Sequence, residues 1–402
     1  MKKTIIFFVL LAMSSSAMAG IGDTLHKLWC IPSEGKENIT ELSDIGCSKR
    51  DREAVKLQKS LEHMNTKLLM SIEHNDRTLI EQLLKKGVSV NRIDDLGNTP
   101  LHLACKKDDN SIFDMLLEYG ANVNAKNNRN QGVLHIAVGS HMLENTRALL
   151  NKGADVNQTN TDEETPIFLT ILHNDMLSIL LQNNANVNHT DKKGNTVLHY
   201  AVINGSISTV SILLESGAAI NLKGYQGCTP IYNVAMELKC CRHGDAGKKA
   251  QELISYLVSN GADINIEDDF QSTPLYSIAP FADIEDIKIL LDNGADIEVV
   301  HKWNDYTILH YIIECKQPDN LEFFLNSKLT DNKGESFFVD LIECANKRKN
   351  TQCIQILLDF LKTKDPSIGL ELGNINDNFH QLMDNLTVNQ KHYVKSLFLV
   401  NE

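Results

Sequence analysis

Two kinds of apolar pattern run along the chain. One is a single unbroken run, Ile5 to Met13, behind Lys2 and Lys3. The other is short and periodic, and it returns from about Leu68 onward: an apolar cluster, a polar break, an apolar stripe at helical spacing, a glycine, then a polar stretch. In one such passage Leu101, Leu103 and Ala104 begin a short helix with a small packing face. A turn at Asp109 and Asn110 follows, and Ile112, Met115 and Leu116 form the buried stripe of a second helix. Gly120 ends that helix in the left-handed conformation glycine tolerates best, and ANVNAKNNRNQ leads on as an extended polar turn.

The pattern carries two markers in phase. Thr99 heads TPLHLAC, Gly132 heads GVLHIAV, Thr165 heads TPIFLTI and Thr196 heads TVLHYAV. Thr229 then heads TPIYNVA, Thr273 heads TPLYSIA and Thr307 heads TILHYII, at steps of 33, 33, 31, 33, 44 and 34 residues. GVSVN, GANVN, GADVN, NANVN, GAAIN, GADIN and GADIE, between 87 and 298, keep the same beat. Thr99 is placed to cap a helix with its hydroxyl, and Pro100 suits the first helical position, where a missing N–H costs nothing. A single helix pair is too small to bury a core alone and must stack on its neighbours.

A 33-residue period with T-P-L-H and a G-A-x-V-N close resembles the ankyrin-repeat family. The likeness covers seven units from Leu68 to Glu298, with more degenerate ones at 307–329 and 336–361. It implies an all-α solenoid of eight to nine helix-turn-helix units with hairpin turns between them and a cap at each end. The expected organisation is a leader at 1–19, an N-terminal cap at 20–64, the array at 65–362 with an insertion at 238–249, and a C-terminal cap at 363–402.

The repeat also decides what the cluster Thr99, His102 and Cys105 is for. His102 recurs as His135, His199 and His310, but Phe168, Tyr232 and Tyr276 fill the same slot elsewhere. A catalytic or metal-binding imidazole does not exchange for a phenyl ring; a group that packs between units does. Cys105 likewise shares its slot with Val138, Ile171 and Ala235. No G-x-S-x-G, P-loop, H-E-x-x-H or metal-spaced C-x-x-C occurs, so no enzyme activity, catalytic residue, cofactor or metal is expected. The acidic runs Asp162-Glu163-Glu164 and Glu267-Asp268-Asp269 read as solvated charge on turns.

The opening run, followed by Ala17-Met18-Ala19 before Gly20, has the order of a secretory signal peptide, of a compact kind that fits bacterial export. It is too short to span a bilayer as a mature helix. Export predicts a periplasmic or secreted protein. Removing two lysines and no acids shifts the net charge from −13 to −15, which disfavours nucleic acid and anionic membranes as partners.

Nine cysteines remain after that cleavage. Cys30 and Cys47, outside the repeats, are expected to form a disulfide stapling the N-terminal cap, worth about 3 kcal/mol by loop entropy. Cys240 and Cys241 sit in the insertion near Cys228 and His243. A metal cluster there is disfavoured, because a helix of about 15 Å would separate Cys228 from Cys240. Cys315 and Cys344, on stacked helices, are expected to stay thiols.

The resemblance implies binding of a protein partner through hairpin tips and the concave face of the first helices. Large apolar residues on tips are candidate anchors, and Tyr225, Phe270 and Trp303 belong to three successive tips. Leu96, Lys302 and Arg129 complete the candidate set. The competing view folds these rings back onto neighbouring turns. Two other functions stay open: an effector or inhibitor that plugs a partner enzyme with the 238–249 loop, and a thiol enzyme built on Cys240 and Cys241.

Overall fold

The computed structural model describes residues 49–364, apart from 108, 205, 241–244, 302–304 and 328–334. The leader, the Cys30–Cys47 disulfide, Lys302, Trp303, Cys241 and the C-terminal cap beyond 364 therefore lie outside the described residues, as does the side chain of Cys240. Among the described residues no helix is long and apolar enough to cross a membrane.

The chain divides between Asn127 and Asn128 into two compact units. The first holds two helix pairs: α1 (Lys49–Glu73) with α2 (Arg77–Lys85), and α3 (Pro100–Ala104) with α4 (Asn110–Glu118). Helix α1 runs through the expected boundary at 64/65, and its last turns bury Leu68 and Ile72 completely. Asp76 caps α2 by accepting from the Leu79 N–H at 3.0 Å, and Asp109 caps α4 through Ser111 at 2.9 Å. α1 packs on α3 and α2 on α4, so first helices stack on first helices and second on second.

The second unit, taken by itself, holds seven pairs. They are α5 (Val133–Gly139) with α6 (Leu143–Asn151), a 3₁₀ turn (Pro166–Thr170) with α7 (Asn174–Gln182), and α8 (Val197–Asn204) with α9 (Ile207–Glu215). Next come α10 (Pro230–Cys240) with α11 (Asp245–Ser259), and α12 (Pro274–Ile278) with α13 (Ile284–Asp292). α14 (Ile308–Glu314) with α15 (Pro318–Leu325), and α16 (Glu335–Lys347) with α17 (Thr351–Lys364), end the row. The only named strands among the described residues, β1 (Val300–His301) and β2 (Tyr306–Thr307), form one antiparallel hairpin with Val300 opposite Thr307.

Each pair closes as its sequence requires. Gly120, Gly153, Gly217, Gly261 and Gly294 all take φ between 80° and 91° at the helix end. Asn184 stands in the same slot at φ 65°, a conformation asparagine reaches more readily than other side chains. There are two local departures. TPIFLTI forms a 3₁₀ turn in which Thr165 makes no side-chain cap, although Thr273, with Tyr276 in the same slot, does cap α12. The insertion at 238–249 is not a loop for most of its length. It lengthens α10 to 11 residues and α11 to 15, because Leu238 and Ala250 extend the buried stripes of both helices.

Candidate interaction surface

The polar tips between units are held by a repeated device. Asp94 Oδ1 accepts from the N–H groups of Leu96 and Asn98 at 2.8 and 2.7 Å. Asn160, Asp191 and Asp268 do the same two and four residues ahead of themselves. Asp268 is consequently buried, and it also accepts from the Tyr232 hydroxyl at 2.7 Å. This corrects the expectation of a solvated charge there: the carboxylate closes the turn that carries Phe270.

The histidine slot is a strut between units. In His199 the Nδ1 accepts from the Thr196 N–H at 3.0 Å, so the proton sits on Nε2, which donates to the Cys228 carbonyl of the next unit at 3.2 Å. His135 binds the Gly132 N–H and the Glu164 carbonyl in the same way. His310 keeps the Thr307 contact but turns Nε2 to Asp340 Oδ2 at 2.9 Å. Burial pulls the His199 pKa below its ordinary value against the opposing hydrogen bond to Cys228. His102 shares the cap, with Nδ1 3.1 Å from the Thr99 N–H.

A second strut was not foreseen. In five repeats the closing asparagine of the G-A-x-V-N motif binds the following repeat twice. Asn188 donates to the Gly217 carbonyl at 3.0 Å and accepts from the Ala219 N–H at 2.7 Å. Asn91, Asn157, Asn221 and Asn265 repeat the pair. The recurrence of that asparagine was visible in the sequence, but its partner lies about one repeat away and only stacking reveals it.

On this frame the candidate anchors fall out separately. Tyr225 and Phe270 are 53% and 57% exposed, so they do not fold back onto neighbouring turns. Their tips are joined, since the Asp269 N–H donates to the Gln226 carbonyl at 2.9 Å. The Tyr225 N–H is itself held by Asn195 Oδ1 at 2.8 Å. His301 of β1 hydrogen-bonds the Phe270 carbonyl through Nε2 at 2.9 Å, and beside it Val300 is 44% exposed. Below, Tyr276 stacks between His301 and Tyr311, with ring centroids 5.5 and 5.3 Å away. Arg129 is exposed on an earlier tip of this unit, where its carbonyl accepts from the Thr161 N–H at 3.1 Å. Leu96 is exposed in the first unit, with Ile93 near it in sequence. Lys302 and Trp303 fall between β1 and β2 in sequence, outside the described residues.

The sequence reading missed apolar residues on, and just after, the first helices of two repeats in the second unit. Leu169, Leu172 and Ile203 are all exposed, and Leu172 and Ile203 share a slot that Lys106 and Glu314 fill elsewhere. That substitution pattern was the available signal.

Four of the described thiols are held in the protonated form by burial. Burial pushes Cys105 up to about 12, and Cys344 and Cys353 to about 11. Cys228, half-buried near Asp268 and Asp269, is also pushed to about 11, chiefly by burial. Cys315 and Cys344 are not joined by a disulfide. Helix α10 sets Cys240 at its far end from Cys228, about 16 Å along an 11-residue helix.

Models of ankyrin repeats match the chain at 83–137, 134–224 and 240–335, together more than half of its 402 residues. The chain is an ankyrin-repeat protein. Over 60 residues it is 42% identical to the ankyrin repeat protein FPV233 of Fowlpox virus (strain NVSL). That stretch is 14% of this chain and spans only 12% of the viral protein's length. The ankyrin geometry continues past the matched residues into α16 and α17, which pack on α14 and α15 as earlier pairs pack on theirs.

Proposed function

We propose that this ankyrin-repeat protein is an exported, non-enzymatic interaction scaffold that holds a protein partner on the tips of its second unit. One observation carries the reading: Tyr225, Phe270 and Val300 project from three successive tips that hydrogen bonds knit into one row. Exposed aromatics on a rigid, backbone-bonded support lose little conformational freedom on binding, which is what an interface anchor needs. Trp303 and Lys302, in the same stretch of sequence, join the proposed contact set on their repeat phase alone. Export rests on the lysine-led apolar run and the Ala17-Met18-Ala19 site, and it points to a bacterial periplasm or the exterior. The net charge of −15 after cleavage favours a basic partner surface.

Affinity capture tests the proposal. Tagged mature protein and a Tyr225→Ala/Phe270→Ala/Trp303→Ala variant are compared on periplasmic, secreted and host extracts. A protein retained by the first and released by the second supports the tip surface. Equal retention by both rejects it.

A further inference from the structure

A cluster away from the tips brings together residues that the sequence leaves 32 positions apart. His141 lies in the turn between α5 and α6, and His173 precedes α7, with Asp175 in that helix's first turn. His141 takes φ 56°, the left-handed turn position that Asn75, Lys316 and Lys349 fill in other pairs. Stacking of successive pairs then sets the two imidazoles face to face, centroids 4.1 Å apart and tilted by 33°. Asp175 Oδ1 is pinned by the Met176 N–H at 2.7 Å, and Oδ2 stands 3.4 Å from His141 Nε2. The other nitrogen of His141, Nδ1, is enclosed and has no hydrogen-bond partner among the described residues.

We infer that His141, His173 and Asp175 form a binding site for one divalent transition-metal ion of the zinc, nickel or copper class. One donor atom from each residue lies within 4.8 Å of the others. Around a tetrahedral zinc, with bonds of about 2.0–2.2 Å, donor atoms stand roughly 3.3 Å apart. The His141–Asp175 distance already meets this, and His173, at the surface, closes the remainder by side-chain rotation. Two imidazoles and one carboxylate select borderline ions over calcium and magnesium, which prefer all-oxygen shells. Three protein donors leave a coordination position open to solvent.

The site is tested on the untagged mature chain with cobalt(II) as the spectroscopic probe and zinc by calorimetry. The expected result is one ion bound with nitrogen and oxygen ligation, shown by visible cobalt bands without a thiolate charge-transfer band. His141→Ala and His173→Ala each weaken zinc about tenfold or more, whereas His74→Ala, an exposed histidine in the first unit, leaves affinity unchanged. Zinc raises the melting temperature of the parent chain and not of the two variants. Circular dichroism confirms that these surface variants fold. No binding by the parent, undiminished binding by both variants, or a thiolate band would overturn the assignment.

Discussion

At the scale of single residues, the array separates chemistry from architecture by burial. Cys105 has no exposed surface, and its thiol is pushed to about 12. Since the thiolate is the reacting form, Cys105, Cys344 and Cys353 should resist iodoacetamide at pH 8 in the native protein and react once it is unfolded. Peptide mapping of labelled chain reads this directly; rapid native labelling of all three would contradict the burial. His199 makes a pH prediction. Its native pKa lies below the ordinary 6.5, mainly through burial. The unfolded chain therefore binds the proton more readily, so its contribution to stability is complete above pH 6.5 and is lost as pH falls below that value. Urea midpoints at pH 7.5 and 5.5 should fall further for the parent than for His199→Phe, a ring the slot accepts at Phe168. These roles were legible early, because exchange of histidine for phenylalanine and tyrosine argues against a catalytic imidazole in this slot. The direction of the Nε2 bond was not, since it depends on the unit stacked above.

At the scale of elements, the periodicity placed nearly every helix pair but not their lengths or their links. The 44-residue step announced an insertion, yet whether MELKC and KKAQ form loop or helix depends on a neighbour for Leu238 and Ala250 to pack against. The 31-residue step at Thr165 likewise hid the 3₁₀ turn at Pro166–Thr170. The asparagine strut offers a test of what joins the pairs. Asn188→Ala removes one donor and one acceptor bond to the following pair. Its partners stay near solvent, so the expected loss is about 1–2 kcal/mol, read as a lower urea midpoint with an unchanged slope. Asn188→Asp keeps the acceptor toward Ala219 and should lose less. A loss by Asp equal to that of Ala would mean that the Gly217 bond carries the whole effect.

At the scale of the whole molecule, one distinction matters most: which exposed apolar residues hold the fold together and which are free for a partner. Buried side chains such as Leu213 cannot be altered without cost, and Leu213→Ala should lose about 2–5 kcal/mol. Tyr225 and Phe270 differ, because the bonds that fix their tips are made by backbone atoms, Asn195 and Asp268, not by the rings. The sequence identified the two rings by phase alone, but their exposure followed only from the positions of the described residues around the tips. Tyr225→Ala/Phe270→Ala should therefore change unfolding free energy by no more than about 0.5 kcal/mol, the usual range for surface substitutions, while abolishing partner retention. Replacing Leu172 and Ile203 by aspartate, on the first-helix slot, asks separately whether the partner reaches past the tips. If the tip variant melts several degrees lower, the rings belong to the architecture and the surface lies elsewhere. If it keeps its stability and releases the partner, binding and folding are carried by different atoms of the same turns.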